Sequence, residues 1–230
     1  MLVELLPTSA SNQYICQVPL NLYNSPACEE LATQAGSGRH LQVVSNTVSD
    51  RALQVRLCED GYIAWLLQEN LATLRPTPYQ YQATTLSRSE IEQRLPAIIS
   101  FVLAAMEQPN YYLWGGTLGP NYDCSGLMQA AFAASGIWLP RDSYQQEAFA
   151  QKIPLEALMP GDLVFFGSEK VNHVGLYLGE NGYCHSSGQE SGRNGIGIDR
   201  LLGEGDTISQ SYWQKFWGCG RVMSNYRVYI

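Results

Sequence analysis

One cysteine and two histidines in the second half of the chain have the types that nucleophilic catalysis by a thiol requires. Cys124 lies in YDCSGLMQA, just before apolar residues that recur with helical period. Asp123 is a typical helix N-cap, so Cys124 falls in the first turn, where backbone N–H groups and the helix dipole stabilise a thiolate. An N–H of this turn could also bind the oxyanion that forms when sulfur attacks a carbonyl. The alternative interpretation is a small buried residue that happens to follow a cap.

A catalytic thiol needs a base and a group that orients the base. Two of the three histidines, His173 and His185, lie in NHVGLYLGENGYCHSSG, which predicts a strand, a turn and a second strand. A hairpin centred on Gly179 would place them directly opposite each other on one face. A two-residue turn at Asn181-Gly182 is the stronger turn signal and would separate them. We favour the Gly179 centre, or a bulge that restores it, but the sequence leaves the register open.

The elements that must position these side chains fall into two halves. Residues 14–74 contain short β-like runs between turn clusters, which predicts a small barrel. The stretch RPTPYQYQATTLSRS predicts an extended linker. The second half has helical patterns first and strand-like runs afterwards, which predicts an α+β domain with an antiparallel sheet. These runs span residues 162–167, 173–178, 183–186, 195–200 and 217–222. We therefore predict a barrel domain over 1–75, a linker over 76–89 and a catalytic domain over 90–230.

The first helix of the second half has clear start and stop signals. Ser87 and Glu90 fit the capping-box pattern, and apolar residues follow with helical period. Pro96 lies inside this run, which predicts either a kink or a helix start at Pro96 itself. The helix is expected to end near Glu107.

Charge and composition exclude several classes of protein. The net charge of −7, without a long basic run, disfavours binding to nucleic acid on electrostatic grounds, and no nucleic-acid partner is expected. No apolar run reaches the roughly 18 residues that span a bilayer, and no membrane partner is expected. The start, MLVELLPTSA, lacks the features of a secretory signal, which favours a cytoplasmic protein; export followed by signal removal is the alternative. No two of the six cysteines are spaced C-x-x-C, so no metal site is expected.

Several motifs in order resemble one known family. The stretches YLWGG, DCSGLMQAAF, LPRDSYQQ, MPGDLVFF and HVGLYLGENGYCHSSG are similar to the NlpC-type cell-wall cysteine peptidases, a papain-like group, over about residues 90–222. The first half resembles a bacterial SH3-like barrel in its length, its strands and the stretch DGYIAWL. The resemblance implies an α+β papain-like catalytic domain, with helices packed on an antiparallel sheet, preceded by a small all-β SH3-like barrel.

The same resemblance implies roles for particular residues. Cys124 matches the nucleophile, His173 the base, and His185 the third polar group that holds the base in the correct tautomer. Substrate contacts are implied for a second set of residues. These are Tyr112, Asp123, Arg141 and Ser143.

The barrel supplies two further candidate substrate residues, Tyr62 and Glu69, if it packs beside the cleft. An acidic side chain there could bind the free amine of an N-terminal L-alanine. Glu69 is the first candidate, with Asp123 on the catalytic side and Tyr62 as a wall of the pocket. The alternative is a passive wall anchor.

The activity that the resemblance implies is hydrolysis of the γ-D-glutamyl–diaminopimelate bond in a peptidoglycan stem peptide, L-Ala-γ-D-Glu-diaminopimelate. The reaction would pass through a thioester and need no metal or organic cofactor. A papain-like acyltransferase and a non-catalytic wall-binding module remain alternatives. The sequence does not determine the oligomeric state, the exact peptide length, or whether the enzyme remodels wall or recycles its fragments.

Overall fold

The computed structural model describes residues 9–48 and 51–228, and the chain divides into two compact units that are described separately. The described part of the first unit covers 9–48, 51–83, 114–118 and 227–228, and the second covers 84–113 and 119–226. Two short segments from later in the sequence thus belong to the first unit. The predicted absence of a signal concerns an N-terminal stretch of which residues 1–8 lie outside the described residues.

The first unit is all-β, as predicted. Its strands form one seven-stranded sheet with the order β3-β2-β6-β5-β4-β1-β7, and a 3₁₀ helix, Gln68–Thr73, precedes the last strand. The strands are β1 (Gln13–Cys16), β2 (Leu20–Tyr23), β3 (Leu31–Ala35), β4 (His40–Val48), β5 (Ala52–Leu57), β6 (Ile63–Leu67) and β7 (Leu74–Thr77). Apolar side chains such as Leu22, Leu41 and Leu53 are fully buried in its interior.

A short strand, β8 (Thr117–Leu118), also belongs to this unit. The side-chain oxygen of Gln34 accepts hydrogen bonds from the N–H groups of Thr117 (3.1 Å) and Leu118 (3.2 Å). Gly115 has a φ of +78°, and a Cβ there would lie 2.7 Å from the carbonyl oxygen of Leu31. Gly115, the first glycine in YLWGG, is therefore required by close packing as well as by its backbone conformation.

The second unit is α+β with an antiparallel sheet, which confirms the predicted class. Six strands pair in the order β10-β15-β11-β12-β13-β14. The helices are α1 (Arg88–Met106), α2 (Cys124–Ala134), α3 (Ser143–Phe149) and α4 (Thr207–Trp213). The strands are β9 (Asn121–Tyr122), β10 (Gln151–Ile153), β11 (Leu163–Gly167), β12 (Val171–Gly179), β13 (Gly182–Ser187), β14 (Gly195–Arg200) and β15 (Phe216–Arg221).

Helix α1 begins with the predicted capping box. Ser87 Oγ accepts a hydrogen bond from the Glu90 N–H, and the Glu90 carboxylate accepts one from the Ser87 N–H at 2.8 Å. The helix ends at the C-cap Glu107, as predicted. Pro96 lies within one continuous helix, so the alternative start at Pro96 is wrong. One face is buried against the core of the unit through Ile91, Leu95, Ile98 and Val102.

The hairpin that carries the two histidines has neither of the two registers considered from the sequence. Its turn residues are Glu180 and Asn181, with φ values of 49° and 61°, as in a type I′ turn. Leu176 pairs with Cys184, and a bulge near the turn shifts the register by one residue. The favoured centre at Gly179 is therefore wrong, and so is the turn at Asn181-Gly182.

This bulge keeps His173 and His185 on the same face but offsets them by two residues along the strand. Continuing the register from Leu176 and Cys184 puts Gly175, rather than His173, opposite His185. The two histidines are diagonal neighbours, which lie within reach of long side chains. Because Gly175 has no side chain, the ring of His185 can extend over it towards His173.

We expect Gly175→Ala to destabilise the fold. A Cβ at this position would lie 2.7 Å from Tyr183 Cδ2, 3.1 Å from the Cys184 carbonyl oxygen and 3.3 Å from His185 Cβ. Overpacking of this kind costs about 1–3 kcal/mol. Gly218→Ala is the matched control, because Gly218 lies in β15 of the same sheet and a Cβ there meets nothing within 4 Å. Urea unfolding of both variants provides the measurement; an equal loss of stability would contradict the packing argument.

Candidate active site

Cys124 is the first residue of α2, and the predicted cap is confirmed. Oδ1 of Asp123 accepts a hydrogen bond from the Gly126 N–H at 2.6 Å. The thiol is almost fully buried, with 6% of the residue exposed. The N–H groups of Ser125 and Val174 donate hydrogen bonds to its sulfur. Since Val174 belongs to β12, the strand that carries His173 lies against the first turn of this helix.

Burial has the largest effect on the pKa of this thiol. Burial, and after it the neighbouring Asp123 carboxylate, raise the pKa of Cys124 to about 12. The two N–H donors, and then the Arg141 guanidinium, lower this pKa but do not outweigh burial. Cys124 is therefore a protonated thiol at neutral pH, and its position at a helix N-terminus does not by itself make it a thiolate.

The structure brings both histidines of the hairpin together. Nε2 of His173 lies 2.6 Å from Nδ1 of His185, and their rings are nearly perpendicular, at 86°. Both residues are buried. Because Nε2 of His173 faces His185, the nitrogen of His173 left for a proton from Cys124 is Nδ1.

His185 contacts a fourth residue that the sequence reasoning missed. Its Nε2 lies 2.7 Å from Oδ2 of Asp199, whose side chain is fully buried. The other carboxylate oxygen of Asp199 accepts hydrogen bonds from Arg193 and from Ser209 Oγ, the latter at 2.8 Å. Strands β12, β13 and β14 therefore hold three side chains in a continuous series of polar contacts, from His173 through His185 to Asp199.

A pattern in the sequence could have revealed Asp199. In the observed register, His185 pairs with Gly197 on β14, and Asp199 lies two residues further along. On the other side of His185, Gly175 and His173 have the same two-residue spacing. Each neighbouring strand thus offers a glycine opposite His185 and a polar partner on the diagonal. The signal is a G-x-D in one flanking strand that matches an H-x-G in the other.

Tyr212 of α4 covers the histidine pair. Its ring lies 4.6 Å from that of His173 at an angle of 31°, and it meets the ring of His185 edge-on at 4.8 Å. Burial among such groups lowers the pKa of His173 well below its ordinary value, and the positive charge that His185 would carry lowers it further. Burial also lowers the pKa of His185, although Asp199 opposes this. Both imidazoles are neutral near pH 7.

The other predicted residues of the second unit lie around the helix that carries Cys124. Arg141 forms a buried ion pair with Asp123, with Nη2 to Oδ2 at 2.5 Å, and its Nη1 donates to Ser125 Oγ at 3.0 Å. Burial raises the pKa of Tyr112, and the negative charge that Cys124 would carry as a thiolate and the charge of Asp123 raise it as well. Ser143 is buried at the start of α3. Substrate roles for these four residues stay a prediction.

The two barrel candidates belong to the first unit. Tyr62 directly precedes β6, its N–H donates to Asp60 Oδ1 at 3.0 Å, and its side chain packs partly against the barrel core. Glu69 lies in the first turn of the 3₁₀ helix. Their roles in substrate binding also stay a prediction.

The described residues contain neither a candidate metal site nor a membrane-spanning helix. Among residues 9–48 and 51–228, no group of three or more His, Cys, Asp or Glu side chains could hold a metal ion. In the same part of the chain, no helix is both long enough and apolar enough to cross a bilayer.

Comparison with known proteins identifies the class of each unit. Residues 109–222 match the NlpC/P60 family, and residues 22–71 match the bacterial dipeptidyl-peptidase SH3 domain. The chain therefore combines an NlpC/P60 domain with a bacterial SH3 domain, as the resemblance implied.

Two curated relatives have the same name, gamma-D-glutamyl-L-lysine dipeptidyl-peptidase. The protein from Bacillus subtilis (strain 168) is 43% identical over 79 residues, or 33% of this chain and 27% of the relative. The protein from Bacillus cereus is 29% identical over 171 residues, or 72% of this chain and 46% of the relative. The chain thus spans less than half the length of either relative.

Similarity to solved structures extends over both units. The crystal structure of an NlpC/P60 family protein from Bacillus cereus ATCC 10987 has a TM-score of 0.50 and 23% identity. The match covers 93% of this chain and 64% of that chain. A match at this identity shows the fold.

The neutral, buried histidines predict that the protein loses stability as the pH falls from 7.5 to 5.5. The pKa values of His173 and His185 are lowered in the fold, whereas in the unfolded chain a histidine titrates near pH 6.5. Below that pH the unfolded state takes up protons that the fold does not, so the free energy of unfolding decreases by up to about 1.4 kcal/mol per pH unit for each histidine.

Urea unfolding at several pH values checks this expectation. The variant His173→Gln lacks one of the two groups, so its stability should depend roughly half as steeply on pH. Carboxylates contribute mainly at lower pH, because their unfolded pKa values lie near 4. Constant or rising stability towards pH 5.5 would contradict the neutral state of the pair.

Proposed function

We propose that this protein is a cysteine peptidase that hydrolyses the bond between γ-D-glutamate and the diamino acid of peptidoglycan stem peptides. The proposal rests on the proximity of three groups. The Cys124 thiol lies in the first turn of α2, His173 lies on the strand that packs against this turn, and Nε2 of His173 is 2.6 Å from Nδ1 of His185. The NlpC/P60 domain and the names of the two relatives support this substrate class.

The reaction begins with a neutral thiol and a neutral imidazole. Since burial raises the pKa of Cys124 and lowers that of His173, the thiol proton moves to Nδ1 of His173 as the sulfur attacks the γ-carbonyl carbon. The resulting oxyanion accepts a hydrogen bond from the N–H of Cys124 in the first helical turn. His173 thus acts as a general base rather than as one half of a preformed ion pair.

The tetrahedral intermediate collapses when His173 returns its proton to the leaving amine of the diamino acid. A thioester between Cys124 and γ-D-glutamate remains. Water then attacks the thioester carbonyl, His173 accepts a proton from this water, and the same proton returns to sulfur as the C–S bond breaks. Tyr112 lies close enough to Cys124 for the two to interact electrostatically, and its hydroxyl is suited to contact the oxyanion or the leaving group.

The proposal extends to the N-terminal side of the peptide. The relatives are named dipeptidyl-peptidases, and such an enzyme releases a dipeptide from a chain end; this supports a preference for a free N-terminal L-alanine. An ammonium needs an anionic partner. Asp123 already has Arg141 and the Gly126 N–H on its carboxylate, so it would have to share its charge. Glu69 therefore remains the first candidate for this contact, with Tyr62 as a wall.

Mass spectrometry of the products from a defined tripeptide tests the reaction. L-Ala-γ-D-Glu-diaminopimelate should give L-Ala-D-Glu and free diaminopimelate, and the lysine-containing peptide tests the third residue. Cys124→Ala should abolish release with an unchanged Tm. Cys219→Ala, another buried cysteine of the second unit, is the matched control and should retain activity. Turnover by Cys124→Ala, or cleavage at another bond, would refute the assignment.

Acetylation of the L-alanine amine should reduce kcat/KM about ten- to a hundredfold. A hydrogen bond between an ammonium and a carboxylate contributes about 1.5–3 kcal/mol. Glu69→Gln should lower kcat/KM for the free peptide by a similar factor and leave the acetylated peptide unaffected. Glu30→Gln, an exposed acid of the same barrel, is the control. Equal rates for both peptides would make the barrel a passive anchor.

A further inference from the structure

The position of one proton decides whether His173 can act as a base. A neutral imidazole has one N–H and one bare nitrogen, and only the bare nitrogen accepts a proton. His173 must therefore carry its proton on Nε2, towards His185, and keep Nδ1 bare. The alternative tautomer would carry the proton on Nδ1, so that this nitrogen could not accept one from the thiol.

The contacts beyond His185 specify this tautomer. Asp199 is ionised, because hydrogen bonds from His185, Arg193 and Ser209 outweigh its burial and lower its pKa. An ionised carboxylate only accepts hydrogen bonds, so Nε2 of His185 must donate to Asp199. Nδ1 of His185 is then bare and accepts a hydrogen bond from Nε2–H of His173. Nδ1 of His173 is the bare nitrogen at the end of this series.

We propose that Asp199 is a positioning residue that fixes the tautomers of both histidines and thereby leaves Nδ1 of His173 bare to accept the Cys124 proton. The inference rests on the proposed function only in that it gives His173 the role of base. During thiol attack the proton moves from sulfur to Nδ1 of His173, which becomes an imidazolium. No proton moves to Asp199, and both hydrogen bonds keep their direction.

The surroundings of Asp199 hold its two oxygens in different roles. Oδ1 accepts from Arg193 Nη2 and from Ser209 Oγ, whereas Oδ2 faces His185 at 2.7 Å and accepts a longer hydrogen bond, 3.4 Å, from Arg193 Nε. Arg193 is held in turn by Asp206, the N-cap of α4, at 2.8 Å. Ser209 and Tyr212 follow Asp206 at intervals of three residues in the chain. One short helix thus fixes the carboxylate and packs a ring against both imidazoles.

Because of this arrangement, Asp199→Asn should reverse both tautomers. Arg193 Nη2 and Ser209 Oγ both donate to the position of Oδ1, so the amide oxygen of the new side chain takes that position and its NH₂ group faces His185. Only the longer bond from Arg193 Nε is lost. Nε2 of His185 must then accept, its proton moves to Nδ1, and Nδ1–H donates to Nε2 of His173. His173 is left with a proton on Nδ1 and cannot accept one from the thiol.

The test combines a spectroscopic signature with a reactivity that needs no peptide. In protein labelled with ¹⁵N-histidine, the ring nitrogen shifts of the three histidines report the tautomers, with assignment by single His→Gln variants. The wild type should show Nε2–H tautomers for His173 and His185, and Asp199→Asn should show Nδ1–H tautomers. Alkylation of Cys124 by iodoacetamide should slow in the same variant.

Turnover provides the third readout. In a serine–histidine–aspartate triad, the exchange of aspartate for asparagine imposes the wrong tautomer and lowers kcat about 10⁴-fold. A fall in kcat of about 10³- to 10⁴-fold with little change in KM is expected here on the same grounds. If the wild type does not cleave the stem peptide, the proposed function fails, but the NMR and alkylation measurements still decide the role of Asp199.

Asp162→Asn is the matched control for loss of a buried ion pair. Asp162 is buried in the same unit and pairs with Arg221 through Nε at 2.8 Å and Nη2 at 2.7 Å, but the structure gives it no contact with either histidine. This variant should lose stability while keeping the histidine tautomers and the alkylation rate. Equal effects of the two variants on alkylation would overturn the proposal.

The wild-type spectrum keeps the proposal falsifiable even if Asp199→Asn does not fold. An Nδ1–H tautomer or a doubly protonated ring at His185 near pH 7 would overturn the proposal without any variant.

Discussion

The hydrogen bond between His173 and His185 is the interaction on which the site depends. It is 2.6 Å long, buried, and joins diagonal rather than facing positions of two strands. Its geometry requires the bulge near the turn, which keeps both side chains on one face. It also requires Gly175 beneath the ring of His185, since a Cβ there would meet Tyr183 and His185 itself. A polar pair in the interior is costly unless its atoms have partners, and here strand β14 supplies Asp199 to Nε2 of His185.

The environment that joins the histidines also sets the chemistry of the thiol. Burial disfavours every charged form in the site, so Cys124 and His173 are both neutral before substrate arrives. In the proposed reaction, the N–H donors at the start of α2 stabilise the negative charge that develops during attack. Their effect is then on the reacting state rather than on a resting thiolate.

Local signals in the sequence were sufficient for much of the fold. The cap at Asp123, the capping box at Ser87 and the two apolar periodicities depend on contacts within a few residues, and the structure contains them. The five predicted strands of the second unit also appear. The edge strand β10, with three residues, was too short to leave a periodic pattern.

The sequence by itself determined which residue types could react, the place of Cys124 at a helix start, and the presence of two histidines in one hairpin. Only the tertiary structure decided the register, because a single bulged residue shifts every pairing and leaves no strong mark on composition. It alone brought Asp199 to His185 from a third strand. It alone also decided that Cys124 is a neutral thiol, since the pKa of a buried group depends on how much water the whole fold removes from it.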